Sequence, residues 1–140
     1  MNSDRSAETS WVDRRYQCSL PWILDELCQI ADANVGRVND LPCQALKDHP
    51  FRLEGQAKQG RFEVVGWPIG SDRDGSPPHR VTFRIDGDRI AVSPDIVVTR
   101  RWDAFEEECF LSISIGDKAD DRRYTTAKVV QLALEPLFFT

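Results

Sequence analysis

Arg80-Val81-Thr82-Phe83-Arg84-Ile85-Asp86-Gly87-Asp88-Arg89-Ile90-Ala91-Val92-Ser93-Pro94 is the stretch that decides the fold. Val81, Phe83 and Ile85 alternate with polar neighbours up to the Asp86-Gly87-Asp88 break, and Ile90 and Val92 alternate beyond it. A period of two on both sides of a Gly-containing turn predicts a β-hairpin. A Gly87-Asp88 turn pairs Ile85 with Ile90, Phe83 with Val92 and Asp86 with Arg89. An Asp86-Gly87 turn pairs Phe83 with Ile90 and Val81 with Val92. Either register keeps the apolar residues on one face. A lone two-stranded ribbon is only marginally stable in water, so other elements must cover that face.

Those elements are legible on either side. Leu20, Ile23, Leu24, Leu27, Ile30 and Ala31 follow helical spacing and predict a helix over Leu20–Asn34. Ser19 is its expected N-cap, Pro21 sits in the first turn, and Gly36 is its expected stop. Trp22 projects from the other face, where it is either covered by an arm carrying Trp11, Val12 and Tyr16, the favoured reading, or exposed for a partner. Gly36–Pro50 reads as connection, with one helical turn at Cys43–Lys47. Phe51–Lys58 and Arg61–Trp67 form a second hairpin turning near Gln59-Gly60. Its returning strand is apolar on both faces, with Phe62 and Val64 on one and Val65 and Trp67 on the other, as an interior strand requires.

Pro68–His79 is a long loop rich in Gly, Ser, Asp and Pro. Asp95–Arg101 and Cys109–Ile115 read as strands, Trp102–Glu108 as a helical turn or wide connection, and Gly116–Arg123 as a charged loop. A final helix over Thr126–Glu135 takes Thr125 as N-cap and is stopped or kinked by Pro136. Lys128, Gln131 and Glu135 form a narrow polar stripe on an otherwise apolar helix, so it is expected to be largely buried. The expected fold is α+β: one antiparallel sheet of about five to six strands, with an N-terminal and a C-terminal helix packed on one face. Residues 1–18 are expected to be a flexible N-terminal segment and residues 19–140 a single domain.

Composition narrows the function classes. The 140 residues carry a net charge of −5, which argues against a nucleic-acid partner. No early apolar run and no membrane-length apolar stretch occurs, and the expected localisation is cytoplasmic, with no membrane partner. Cys18, Cys28, Cys43 and Cys109 show no paired spacing and are read as reduced thiols.

Catalytic signatures are missing. Nucleophile chemistry needs a base, but His49 and His79 lie near no Gly-x-Ser-x-Gly elbow or Cys motif. Ser71-Asp72-Arg73-Asp74-Gly75 starts like a calcium loop, but its twelfth-position analogue falls on Val81. Phosphate-cradling Gly motifs are also absent, so no cofactor and no metal is expected. The consecutive Glu106, Glu107 and Glu108 diverge on any regular backbone and read as a solvated edge.

Arginine carries what is left. Of 18 basic residues 14 are Arg, a bias that suits carboxylate or phosphate recognition and that a GC-rich genome also produces. Arg80, Arg84 and Arg89 fall on the polar side of the hairpin, and Arg100, Arg101 and Trp102 follow shortly after. These six are the candidate binding residues, since Arg and Trp are enriched at binding hot spots. No motif residue ties the chain to a family. The element order alone resembles small bacterial secretion-chaperone-like and regulatory folds. The expected function is a non-enzymatic domain, monomeric or homodimeric, that binds another protein through an acidic or phosphorylated segment. The competing expectation is a small-molecule-binding protein or enzyme with a pocket between sheet and helices, with Trp67, Trp102 and a His or carboxylate at its mouth.

Overall fold

A computed structural model describes residues 10–71 and 75–139, with the Asp121 side chain outside the description. Residues 10–16 are helical (α1). α2 (Leu20–Asn39) and α3 (Gln44–Asp48) follow. Seven strands come next: β1 (Arg52–Gln56), β2 (Arg61–Gly66), β3 (His79–Asp86), β4 (Arg89–Val92), β5 (Ile96–Asp103), β6 (Glu108–Ile115) and β7 (Lys118–Tyr124). α4 (Thr126–Phe138) closes the chain.

The strands form one antiparallel sheet in sequence order, β1 to β7, each paired with its chain neighbours. The expected five to six strands are therefore seven. The added strand is β7, in the stretch read as a charged loop. It lies at the sheet edge, where among the described residues one flank has no strand partner and charged side chains stay hydrated.

In the organising hairpin Phe83 opposes Val92, Ile85 opposes Ile90 and Asp86 opposes Arg89, which is the Gly87-Asp88 register. Gly87 takes a φ of 64°, the left-handed conformation such a turn needs. β2 lies between β1 and β3, as its two apolar faces require. Cross-strand partners share a face, so Phe62, Phe83, Val92 and Ile96 form one apolar row across four strands. Val64 and Val81 extend that surface on one side, and Ile90, Val98 and Ile113 on the other. All of these are buried, and they join one core cluster with Leu24, Leu27, Ala31 and Val35 of α2 and Val129, Val130, Ala133 and Leu134 of α4.

The helices depart from their expected ends. α2 runs past Gly36 to Asn39, because Gly36 faces open space and costs only helix propensity. α4 continues two residues beyond Pro136, burying Leu137 and Phe138. Thr125 caps α4, accepting a hydrogen bond from the Lys128 amide at 3.1 Å. Ser19 stands at the N-cap of α2 without making a side-chain cap bond. The segment Trp102–Glu108 is neither helix nor wide connection: β5 extends through Asp103, and a tight turn over 104–107 leads into β6.

One reading of the cysteines is overturned. Cys18 and Cys109 form a disulfide between the α1–α2 junction and β6, while Cys28 and Cys43 are free thiols. Sequence spacing could not show this, because the partners are 91 residues apart. Of the segment expected to be flexible, residues 1–9 lie outside the described residues, and residues 10–16 are helical. Among the described residues no helix is long and apolar enough to cross a membrane.

Candidate functional site

Register sorts the six candidate residues. Arg84 opposes Ala91, Ala91 opposes Val97, and Arg101 follows Val97 by four residues on the same strand. Arg84 and Arg101 therefore share the face opposite the Phe83 row. Arg80, four residues before Arg84, and Arg89, opposite Asp86, belong to that face too. Arg100 and Trp102 do not: they alternate with Arg101 and continue the line of Ile96 and Val98.

The pairings of these residues differ. Arg80 donates to Glu63 at 2.8 Å and lies 3.6 Å from Glu54, so its charge is neutralised locally. Thr82 also donates to Glu63, at 3.2 Å. Arg100 donates to the Asp88 carbonyl at 3.3 Å, tying β5 to the hairpin turn. Trp102 stands opposite Cys109, and the Arg15 guanidinium of α1 lies 4.7 Å over its ring. Among the described residues, the side chains of Arg84, Arg89 and Arg101 make no hydrogen bond or ion pair.

Arg61, which sequence reading passed over, completes the group. It stands directly opposite Arg84 across β2 and β3, and its nearest acid is Glu63 on its own strand at 3.6 Å. Like charges directly opposed on a sheet destabilise it. Arg89 sits diagonally from Arg84, two residues from the latter's partner Ala91. Arg61, Arg84, Arg89 and Arg101 thus lie on one sheet face toward the Gly87 end, with Glu63, Asp86 and Asp103 as the nearby acids. Between them and β6 the face is floored by small side chains, Ala91, Val97, Thr99, Ser112 and Ser114; Thr99 and Ser112 share a hydroxyl hydrogen bond of 2.7 Å. This arrangement suits binding of carboxylates or phosphates by guanidinium groups held on a rigid sheet.

The far side of the same face is self-satisfied. Arg123 lies 4.0 Å over the Phe110 ring and bonds Glu108 at 2.8 Å and Asp103 at 3.2 Å. Asp103 also accepts from the Glu106 and Phe105 amides of its turn. The Glu106 amide, then Arg123, holds its carboxyl below the usual carboxylate range. On the other face of β7, where Asp120 opposes Ile113 and Tyr124 opposes Leu111, Asp120 pairs with Arg122 at 2.7 Å and accepts from the Tyr124 hydroxyl. Arg122 is the main cause holding the Asp120 carboxyl far below its ordinary value, with the tyrosine hydroxyl second. The Tyr124 hydroxyl is raised in turn, chiefly by Asp120.

A second feature lies beyond the β5–β6 turn. Trp22, Ile23, Cys109, Leu111 and Tyr124 contribute to an open cleft of about 400 Å³ whose walls include Arg14, Gln17 and Glu26. His49 is not there; it packs edge-on against Trp67 at 5.2 Å. Trp67 follows β2 at the His79 end of the sheet and Trp102 lies at the other, so the two do not share a pocket mouth. Among the described residues no group of three or more His, Cys, Asp or Glu side chains could hold a metal ion. The Ser71–Gly75 fragment lies partly outside the described residues. No family model matches the chain, and neither curated proteins nor solved structures give a match.

Proposed function

We propose that this chain is a small non-enzymatic domain, adaptor, chaperone-like or regulatory, that docks an acidic or phosphorylated segment of another protein on Arg61, Arg84, Arg89 and Arg101. The reading takes both long helices as covering the Phe83 face and leaves the Arg84 face for the partner. One observation carries it: Arg61 and Arg84 oppose each other, and no acid pairs with Arg84 among the described residues. That arrangement costs folding stability, and an anion bound between the two guanidinium groups offsets the cost. Arg100 and Trp102 enter this reading as supports, bracing the hairpin turn and α1.

The proposed compartment is the cytoplasm. Disulfides are more at home in oxidising compartments. A cytoplasmic location would make the Cys18–Cys109 bond transient and exposed to cellular dithiols.

Affinity capture from native cell extract at physiological ionic strength tests the docking reading. Arg84→Glu with Arg101→Glu should abolish recovery of the partner retained by the wild type, and raised salt should weaken that recovery. Undiminished capture by the folded double variant would sink it. A second reading, binding of a small apolar molecule, rests on the Trp22 and Tyr124 cleft. In that case the double variant would keep its ligand while Trp22→Ala lost it.

A further inference from the structure

We propose that the Cys18–Cys109 disulfide is a reducible latch: it holds α1 against the β5–β6 turn, and a dithiol reductant releases α1 without unfolding the sheet. Among the described residues α1 has little else to hold it. Residues 11–17 are all exposed, including Trp11, Val12 and Tyr16. Its described side-chain contacts with the body are the Arg14–Glu107 ion pair at 3.1 Å and the Arg15 stack on Trp102. Exposed ion pairs and cation–π contacts of this kind are individually weak. The disulfide therefore decides whether α1 stays docked, closing a loop across 91 residues of sequence.

The position of the bond makes it reachable and separable from the core. Cys109 lines the open cleft, whereas Cys18 is buried, so a small thiol meets the Cys109 sulfur first. Attack there leaves Cys18 as the departing thiolate. The first thiolate of the dithiol bonds to Cys109 Sγ while the Cys18–Cys109 bond breaks, and Cys18 takes up a proton. The second thiol then displaces Cys109, which takes up the other proton, and the reductant leaves as a cyclic disulfide. Two electrons and two protons pass to the protein. What remains is intact: β6 keeps its eight cross-strand pairs with β5, and α2 keeps Leu20, Ile23, Leu24 and Leu27 in the core. Because Arg14 and Gln17 form part of the cleft wall, release of α1 widens access to Trp22, Leu111 and Tyr124.

The test uses the full chain, air-oxidised and then treated with millimolar dithiothreitol without denaturant. Mass spectrometry should find the Cys18–Cys109 peptide in the first state and free thiols in the second. Limited trypsin should cut after Arg14 and Arg15 at least tenfold faster in the reduced protein, while the amides of β2–β5 and α2 stay protected as in a folded domain, exchanging faster only by the uniform loss of global stability that opening the loop brings. Cys18→Ser with Cys109→Ser should match the reduced protein in both readouts. Free Cys18 and Cys109 in the oxidised protein, a bond that resists native reduction, or an unchanged rate of cutting would each overturn the latch. So would a complete loss of exchange protection across the domain on reduction or a double-serine variant that does not fold, since the bond would then be a staple of the whole domain.

Discussion

The ring of Phe51 lies across Gly66, where a Cβ on residue 66 would meet three atoms of that ring, the farthest at 3.0 Å. Phe51 has no room to retreat. Its ring centroid sits 4.7 Å from that of Phe138, and the Asn39 side chain brackets its backbone, donating to the carbonyl at 3.0 Å and accepting from the amide at 2.9 Å. The end of α2, the start of the sheet and the end of α4 are joined at this one residue. Gly66→Ala should therefore destabilise by about 1–3 kcal/mol through overpacking. Urea unfolding that shows less than about 0.5 kcal/mol would mean that Phe51 is free to move aside.

Asn39 acts here as a strand partner supplied by a helix. Asn39→Ala leaves both backbone groups of a buried residue unpaired, and the loss should be on the order of 1–3 kcal/mol. Asn39→Asp should recover the bond from the Phe51 amide and lose the one to its carbonyl. Equal midpoints for the alanine and aspartate variants would show that Asn39 does not bracket Phe51 in solution.

Phe83 stacks on Phe62 with centroids 4.6 Å apart and planes 9° apart, and both side chains are fully buried. Phe83→Ala should cost on the order of 3–5 kcal/mol by opening a cavity in the centre of the core. A loss below about 1 kcal/mol in urea would place the other face of the hairpin inward.

This core was the part most legible in the sequence, because a two-residue period around Gly87 and a helical stripe from Leu20 leave few arrangements that bury both. Parity also carried information that went unread. Ile96, Val98, Arg100 and Trp102 alternate along β5, so counting from the buried valine already assigns Arg100 and Trp102 to the opposite face from Arg101. Arg61 could not be found that way, since its position opposite Arg84 depends on the β2–β3 register across a long loop. β7 was missed because Lys118, Asp120, Asp121, Arg122 and Arg123 erase the apolar alternation that marks a strand, which a sheet edge permits.

The acid limb of stability has a specific contributor on that edge. Asp120 is held far below its ordinary carboxyl value, first by Arg122 and then by Tyr124. A depressed folded value means that the unfolded chain binds the proton more readily. The stabilisation is therefore fully present above about pH 4, the ordinary Asp value, and is lost as pH falls below it toward the folded value. Asp120→Asn should lower stability at pH 7 and converge on the wild type as the pH drops through that window. A carboxyl carbon titration of Asp120 with an ordinary midpoint would remove this explanation.

The opposed arginines make a prediction that needs no partner. If Arg61 and Arg84 repel across β2 and β3, Arg84→Glu should turn a like-charge pair into an attractive one and stabilise the fold by about 0.2–1 kcal/mol. Asp86 on the same strand and Glu63 diagonally across will offset part of this gain, so the sign is best isolated by a double-mutant cycle with Arg61→Glu. The double reversal restores a like-charge pair and should forfeit the gain, and high salt should shrink the coupling. Measured alongside partner capture, the cycle separates two origins for the pair. Arginines kept for binding should show stability rising as capture falls. A cycle with no coupling energy would mean that the two guanidinium groups already point apart, and the anion site would lose its physical basis.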